Sequence, residues 1–364
     1  MDREFIMQMR PWFGEEEREA MNAYMLTDGF LTEFKNTQKF EQMIADFTGI
    51  KHCIVVNNGT ISLTLAAIAL HVGIGDEVII PNYTMIATPN SIKMIGAKPV
   101  FVDVERETLC LDLDKAKNAI TNKTKAMILV SANGRFPKEE IQTFRNFANE
   151  NGIALIEDAA QALGSLYPDQ SHIGSKGMIG SFSFSMPKII TTGQGGALVT
   201  NNDDIATRVR KLKDFGRAKG GLDIHDSIGF NSKFTEMQAV IGIEQLKKID
   251  FRVKRKKEIW TRYFQNLESV EEVNLFNHNT ELTAPWFIDG IFEDRDRLIS
   301  FLKENNIGSR VMYPPINRQD CYKIPGEYPV SENIGNKGIW LPSYTQLSDD
   351  EIDYITDKIK EFYS

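Results

Sequence analysis

Three observations in the sequence predict an α/β fold built on a mostly parallel sheet. Short apolar runs alternate with helical patterns as far as about residue 250, the rhythm of strand–helix–strand units. One of those runs, 153–158, is too apolar to face water and ends in Asp158, and in open α/β sheets ligands bind at the carboxyl ends of strands. From about Lys254 the alternation loosens, which predicts a smaller α+β unit. The expected division is a large domain over 1–250, with an N-terminal arm, and a small domain over 251–364.

In chain order, the sequence opens on Met9-Arg10-Pro11-Trp12, a charged helix over 15–25, a break at Gly29 and a second helix over 37–47 closed by Gly49. Residues 53–56 form a short apolar strand that turns through Asn57-Asn58-Gly59-Thr60 into a helix over 61–70. Such a turn is an ordinary capped helix start. It is also a natural anion seat, because free N–H groups and the helix dipole point at it. Strands follow at 77–81, 99–103 and 125–130, and after Pro137 comes an amphipathic helix with Ile141, Phe144, Phe147 and Ala148 on one face.

The stretch 180–196 begins as an alternating strand, ends in glycines that permit a tight turn, and holds a single charged residue, Lys188. A lysine with apolar flanks has two readings: a side chain reaching from a strand end to solvent, or a desolvated amine of depressed pKa, suited to Schiff-base chemistry. A strand at 197–200 and a helix over 204–213 come next. The string Gly229-Phe230-Asn231 then precedes Thr235 and Gln238, which have capping-box spacing. In the small domain, 286–292 and 308–315 read as strands and 295–304 as a helix. Ile352, Ile355, Ile359 and Phe362 mark a closing amphipathic helix.

The net charge of −8 argues against a nucleic-acid partner, whose phosphates select basic surfaces. Cys53, Cys110 and Cys321 are widely spaced with no CxxC pair, which points to reduced thiols rather than a disulfide framework or a zinc site. No metal is expected. The amino terminus lacks a signal-peptide pattern and no apolar run approaches bilayer length. A cytoplasmic protein without membrane association is expected.

Asp158-Ala159-Ala160-Gln161, Ser183 with Lys188, and Gly193-Gln194-Gly195-Gly196 together resemble the sugar-aminotransferase family (the DegT/DnrJ/EryC/StrS group) of fold-type I enzymes, over nearly the whole chain. Within it the chain looks most like the enzymes that aminate nucleotide-linked 4-keto-6-deoxyhexoses, the viosamine and perosamine synthases. The resemblance implies a seven-stranded sheet and pyridoxal 5'-phosphate as cofactor. Lys188 and Asp158 would be the catalytic pair, Lys188 holding the cofactor covalently and Asp158 facing its pyridine nitrogen. Gly59, Thr60, Gln161 and Ser183 would be further cofactor contacts.

Asn231 would cross to the phosphate of the other subunit, so that a homodimer shares its active sites. Phe30 and Leu31, in an entrance loop, and Arg310 and Tyr313 would meet the nucleotide-sugar. On the residues alone, the first pair reads equally as a packing arm and the second as solvated side chains. The amino donor would be glutamate or glutamine, and the product a 4-amino-4,6-dideoxyhexose still linked to its nucleotide.

Two departures stand out. Met85 occupies the ring-covering position that is usually aromatic, and a thioether can also cover a ring. Ser131-Ala132-Asn133-Gly134-Arg135 replaces the commoner His-x-Tyr-Gly, which bears on substrate choice. The alternatives are amination at C3 of a ketosugar or of another small ketone, a cofactor-dependent sugar dehydratase, and a non-catalytic protein on the same fold. The dehydratases carry histidine where this chain has Lys188, and a non-catalytic protein would be marked by loss of Lys188 or Asp158.

Overall fold

The structure, a computed structural model, describes residues 3–364. Strands β1 (His52–Val56), β2 (Glu77–Pro81), β3 (Lys98–Val102), β4 (Thr124–Val130), β5 (Ala154–Asp158), β6 (Ile179–Ser183) and β7 (Gly196–Thr200) form one sheet in the order β1-β7-β6-β5-β4-β2-β3. β2, β5 and β7 are buried along their whole length, as strands covered by helices on both faces must be. Successive residues of β1 alternate between the two apolar layers, Cys53 and Val55 in one, Ile54 and Val56 in the other.

β6, β5, β4, β2 and β3 run parallel. β7 is antiparallel to both β1 and β6, because the loop 184–195 joins it to β6 without a crossover helix. The shared direction of the parallel strands opens their carboxyl ends on one edge. Register there sets Val130 beside Asp158 and Asp158 beside Ser181.

A second sheet, wholly antiparallel, has the order β10-β11-β9-β8, from β8 (Val273–Leu275), β9 (Ile288–Phe292), β10 (Arg310–Val311) and β11 (Gly338–Leu341). The helices Ile249–Leu267, Arg295–Glu304 and Asp349–Tyr363 cover it around Trp260, Tyr263, Leu298 and Ile355. No helix of the described residues is long and apolar enough to cross a membrane.

Three expected elements change their bounds, and two expected core residues lie at the margin. The helix predicted over 61–70 spans Gly59–Ala69, because the Asn58 side chain caps it by accepting from the Ile61 N–H. The strand predicted from 286 starts at Ile288: Phe287 pairs its backbone with the Asn133 amide instead of a neighbouring strand. The strand predicted over 308–315 shrinks to Arg310–Val311, since Pro314 and Pro315 cannot donate to a ladder and Gly308 gives its N–H to Ile6. Phe147 and Phe362 are half-buried at the margins of their apolar faces, whereas Ile141, Phe144, Ala148, Ile352, Ile355 and Ile359 are buried.

Candidate active site

The loop that carries Lys188 is fixed by packing and by hydrogen bonds. Phe184, Ile189 and Ile190 are buried, each side chain contributing about 1.5–3 kcal/mol. Phe184 meets Phe40 at 5.4 Å between ring centroids. The Thr191 hydroxyl and the Thr192 N–H both donate to the Phe184 carbonyl, at 3.1 and 3.0 Å. Gly193, at φ 80°, makes the reversal that a side chain would strain.

From this loop Lys188 places Nζ 4.1 Å from the centroid of the Trp286 ring. The indole is itself held, its Nε1 donating to the Pro187 carbonyl at 2.7 Å and its ring stacking on Phe287 at 3.9 Å. Lys188 is half-buried, with its amine packed over the indole. Burial therefore draws its pKa from 10.5 to about 8, against an opposing pull from the Asp158 charge.

Asp158, at the end of β5, is 4% exposed. Thr88 Oγ1 donates to its Oδ2 at 2.8 Å and the Ala160 N–H to its Oδ1 at 3.2 Å. The Thr84 and Thr88 hydroxyls are linked at 2.9 Å. Among the described residues no cation lies within ion-pair distance of this carboxylate, and burial raises its pKa, with Thr88, the Ala160 N–H and Lys188 opposing. A buried acid so placed calls for a protonated or positively charged partner.

The third feature is a helix start. With Asn58 Oδ1 taking the Ile61 N–H at 2.9 Å, the N–H groups of Gly59 and Thr60 have no intrahelical acceptor. The turn presses against β6 and β7. A Cβ on Gly59 would lie 2.9 Å from Ser183 Cβ, and one on Gly196 would lie 2.6 Å from the Asn58 carbonyl oxygen. Glycine at both positions thus brings the Ser183 hydroxyl beside the free donors.

Lys188, Asp158, Gly59, Thr60 and Ser183 line one cleft of about 460 Å³. An amine of lowered pKa, a buried acid and an anion-binding helix start match the aldehyde, ring nitrogen and phosphate of pyridoxal phosphate. The residues fit that group.

Met85, Gln161, Arg310 and Tyr313 line the same cleft. Met85 is 43% exposed and its Sδ accepts from the Ala87 N–H at 3.0 Å. Gln161 Oε1 is taken by the Asn133 N–H at 2.6 Å. Tyr313 packs edge-on against Trp340 at 4.6 Å, and burial pushes its phenol up to about 12, Arg310 opposing and Asp158 adding.

Phe30, Leu31 and Asn231 are not brought to the cleft of their own chain. Phe30 lines a separate surface cleft with Tyr24, Phe34 and Glu236. Leu31 is exposed, and its carbonyl accepts from the Glu236 N–H at 3.2 Å. Asn231 is exposed, in a short antiparallel contact with Asp214.

Thr88 and Trp286 escape the sequence reading. The Thr84 and Thr88 hydroxyls meet across the bend that leads into the helix Ala87–Lys93, and the close spacing of two threonines after a strand end is a signal the sequence does carry. Trp286 gives none, because an apolar strand pattern already accounts for it.

The DegT/DnrJ/EryC1/StrS aminotransferase family matches residues 12–360 of the chain. Over 364 residues the chain is 34% identical to the GDP-perosamine synthase of Escherichia coli O157:H7, with 99% of each protein covered. Over 363 residues it is 34% identical to the GDP-perosamine synthase of Vibrio cholerae, covering 97% of this chain and 98% of that one. Among solved structures, Spr1654 of Streptococcus pneumoniae in its PLP-form superposes with a TM-score of 0.90 at 27% identity, over 99% of this chain and 98% of that one.

Proposed function

The chain belongs to the DegT/DnrJ/EryC1/StrS aminotransferase family, and on that premise we propose that it aminates C4 of a nucleotide-linked 4-keto-6-deoxyhexose. It is a sugar aminotransferase, and its cofactor is pyridoxal 5'-phosphate. The observation that carries the residue assignments is the meeting of Lys188, Asp158 and the Gly59–Thr60 helix start in one cleft.

When bound, the cofactor supplies an electron sink that lets an amino group leave a donor and reach a ketone. In this reading Lys188 holds it covalently in the resting protein, and the lowered pKa keeps a usable fraction of Nζ unprotonated. Once released, Nζ carries a proton between carbon centres, the work of a base and acid poised near neutral pH. Asp158 keeps a fixed negative charge at the ring nitrogen, and Thr88 holds the carboxylate in place. Gly59, Thr60 and Ser183 seat the phosphate. Met85, 43% exposed, covers the ring, Gln161 touches it from the Asn133 side, and Arg310 and Tyr313 contact the sugar nucleotide.

Three of the assigned residues need a second copy of the chain. Asn231, Phe30 and Leu31 are exposed and lie outside the cleft of their own subunit, the placement required if they complete the partner's site in a homodimer. Glutamate or glutamine is the proposed donor. The cytoplasm is the proposed compartment, with Cys53 and Cys110 buried as free thiols.

The test is mass spectrometry on nucleotide-linked 4-keto- and 3-ketohexoses incubated with each donor. Conversion of the 4-keto-6-deoxy compounds to their amines is expected. Amination confined to C3 ketones, or loss of a hydroxyl without amination, would reject the substrate assignment.

A further inference from the structure

A second, smaller cavity of about 20 Å³ adjoins the cleft and shares Lys188, Met186 and Trp286 with it. Arg252 and Lys256, from the helix Ile249–Leu267, line it together with Ser343. All three are buried, at 3%, 7% and 1% exposure. Arg252 donates through its terminal nitrogens to the Ile189 carbonyl at 3.1 Å and the Trp12 carbonyl at 2.9 Å, while its Nε has no partner. Lys256 Nζ donates to the Ser343 carbonyl and lies 5.8 Å from the Phe287 ring centroid. Among the described residues it has no carboxylate within ion-pair distance, and the Ser343 hydroxyl has no partner.

The imbalance at the cavity has one sign. The carboxylates of Glu17 and Glu16 act on Arg252 from a distance but make their ion pairs with Lys248, and the groups left over at the cavity are N–H donors and a hydroxyl, two of them on basic side chains. A buried cation needs a counter-charge or must give up its proton, and a guanidinium does not give it up near neutral pH. One water accepts about two hydrogen bonds, whereas a spherical anion accepts from every direction. A cavity of about 20 Å³ has room for one water-sized body and not for a carboxylate group. We propose that this cavity seats one chloride-sized monovalent anion, held by Arg252, Lys256 and Ser343 beside Lys188. Burial alone draws Lys256 down to about 7, so its ammonium form is within reach at neutral pH for the anion to hold. This site is separate from the phosphate seat at Gly59 and does not depend on which sugar the protein aminates.

The test follows thermal unfolding of the holoenzyme at constant ionic strength while sodium gluconate is replaced by sodium chloride. The midpoint is expected to climb saturably, by about 2 °C at a chloride concentration ten times the dissociation constant. Sodium acetate is expected to leave it unchanged, and Lys256→Met holoenzyme to give a flat chloride response. In crystals of the unaltered protein soaked in bromide, an anomalous peak is expected between Arg252, Lys256 and Ser343. An unmoved midpoint, an equal climb in Lys256→Met, or an acetate effect matching chloride overturns the proposal. Should Lys256→Met fail to fold, the bromide map decides by itself, and a cavity without a peak overturns it.

Discussion

Lys188 in protein stripped of cofactor is expected to titrate near pH 8 instead of 10.5, because burial disfavours its ammonium more than Asp158 favours it. The difference is large at working pH: at pH 7.5 the neutral fraction is about one in four for a pKa of about 8 and about one in a thousand for the ordinary value. Competitive acetylation with trace acetic anhydride reads this directly. Peptide mass spectrometry gives the extent of labelling at Lys188 from pH 6 to 11, with the denatured chain as reference. A labelling curve with its midpoint about 2.5 pH units below the reference is expected. Asp158→Asn removes the one charge that supports the ammonium, so its midpoint should fall further. A native midpoint at 10 or above would show that the Trp286-lined environment does not govern this amine. An upward move in Asp158→Asn would show that the two residues do not sense each other with the stated sign.

Asp158→Asn should keep the fold, since an amide oxygen still accepts from the Ala160 N–H and the Thr88 hydroxyl can turn to accept from Nδ2. Transamination should nevertheless drop on the order of 10²-fold or more, and near-normal turnover with a normal melting curve would make the acid structural. Thr88→Val removes a hydrogen bond that opposes the upward shift of Asp158. The acid limb of the pH–rate profile should therefore move to higher pH, with about a tenfold loss at neutral pH; an unmoved limb would reject Thr88 as the positioning partner. Lys188→Ala and Asn231→Ala chains should each be impaired alone but recover activity after subunit exchange at limiting cofactor, with about one site in four intact under random mixing. Exchange without recovery, when mixed dimers are detected, would place Asn231 in its own chain's site.

The sheet and the cleft are legible in the sequence to different depths. Lys188, Asp158 and Gly59-Thr60 each contrast with their own neighbourhood: a charge in an uncharged loop, an acid ending an apolar strand, a capped glycine turn. Their meeting follows from the carboxyl ends of parallel strands sharing one edge. The Thr88–Asp158 contact depends on which strand ends lie near each other, here through the order β5-β4-β2, and local spacing cannot report that. The reversal of β7 is hidden for a similar reason, since an apolar strand reads alike in either direction. At 308–315, tandem prolines and the Ile6 contact override a strand-like pattern. Asn133 is legible only as a departure; its role in gripping the Phe287 backbone, at 2.6 and 2.8 Å, needs a partner more than a hundred residues away.

The central claim is that Lys188 is the residue to which the cofactor is joined, and reductive trapping tests it most directly. The yellow holoenzyme, absorbing above the protein band, is treated with borohydride, digested and mapped by mass spectrometry. The added mass of the reduced cofactor is expected on the peptide containing Lys188 and nowhere else, and Lys188→Ala should carry none. A cofactor mass on any other lysine, Lys256 included, or an unlabelled Lys188 peptide from a fully bleached sample, would contradict the account.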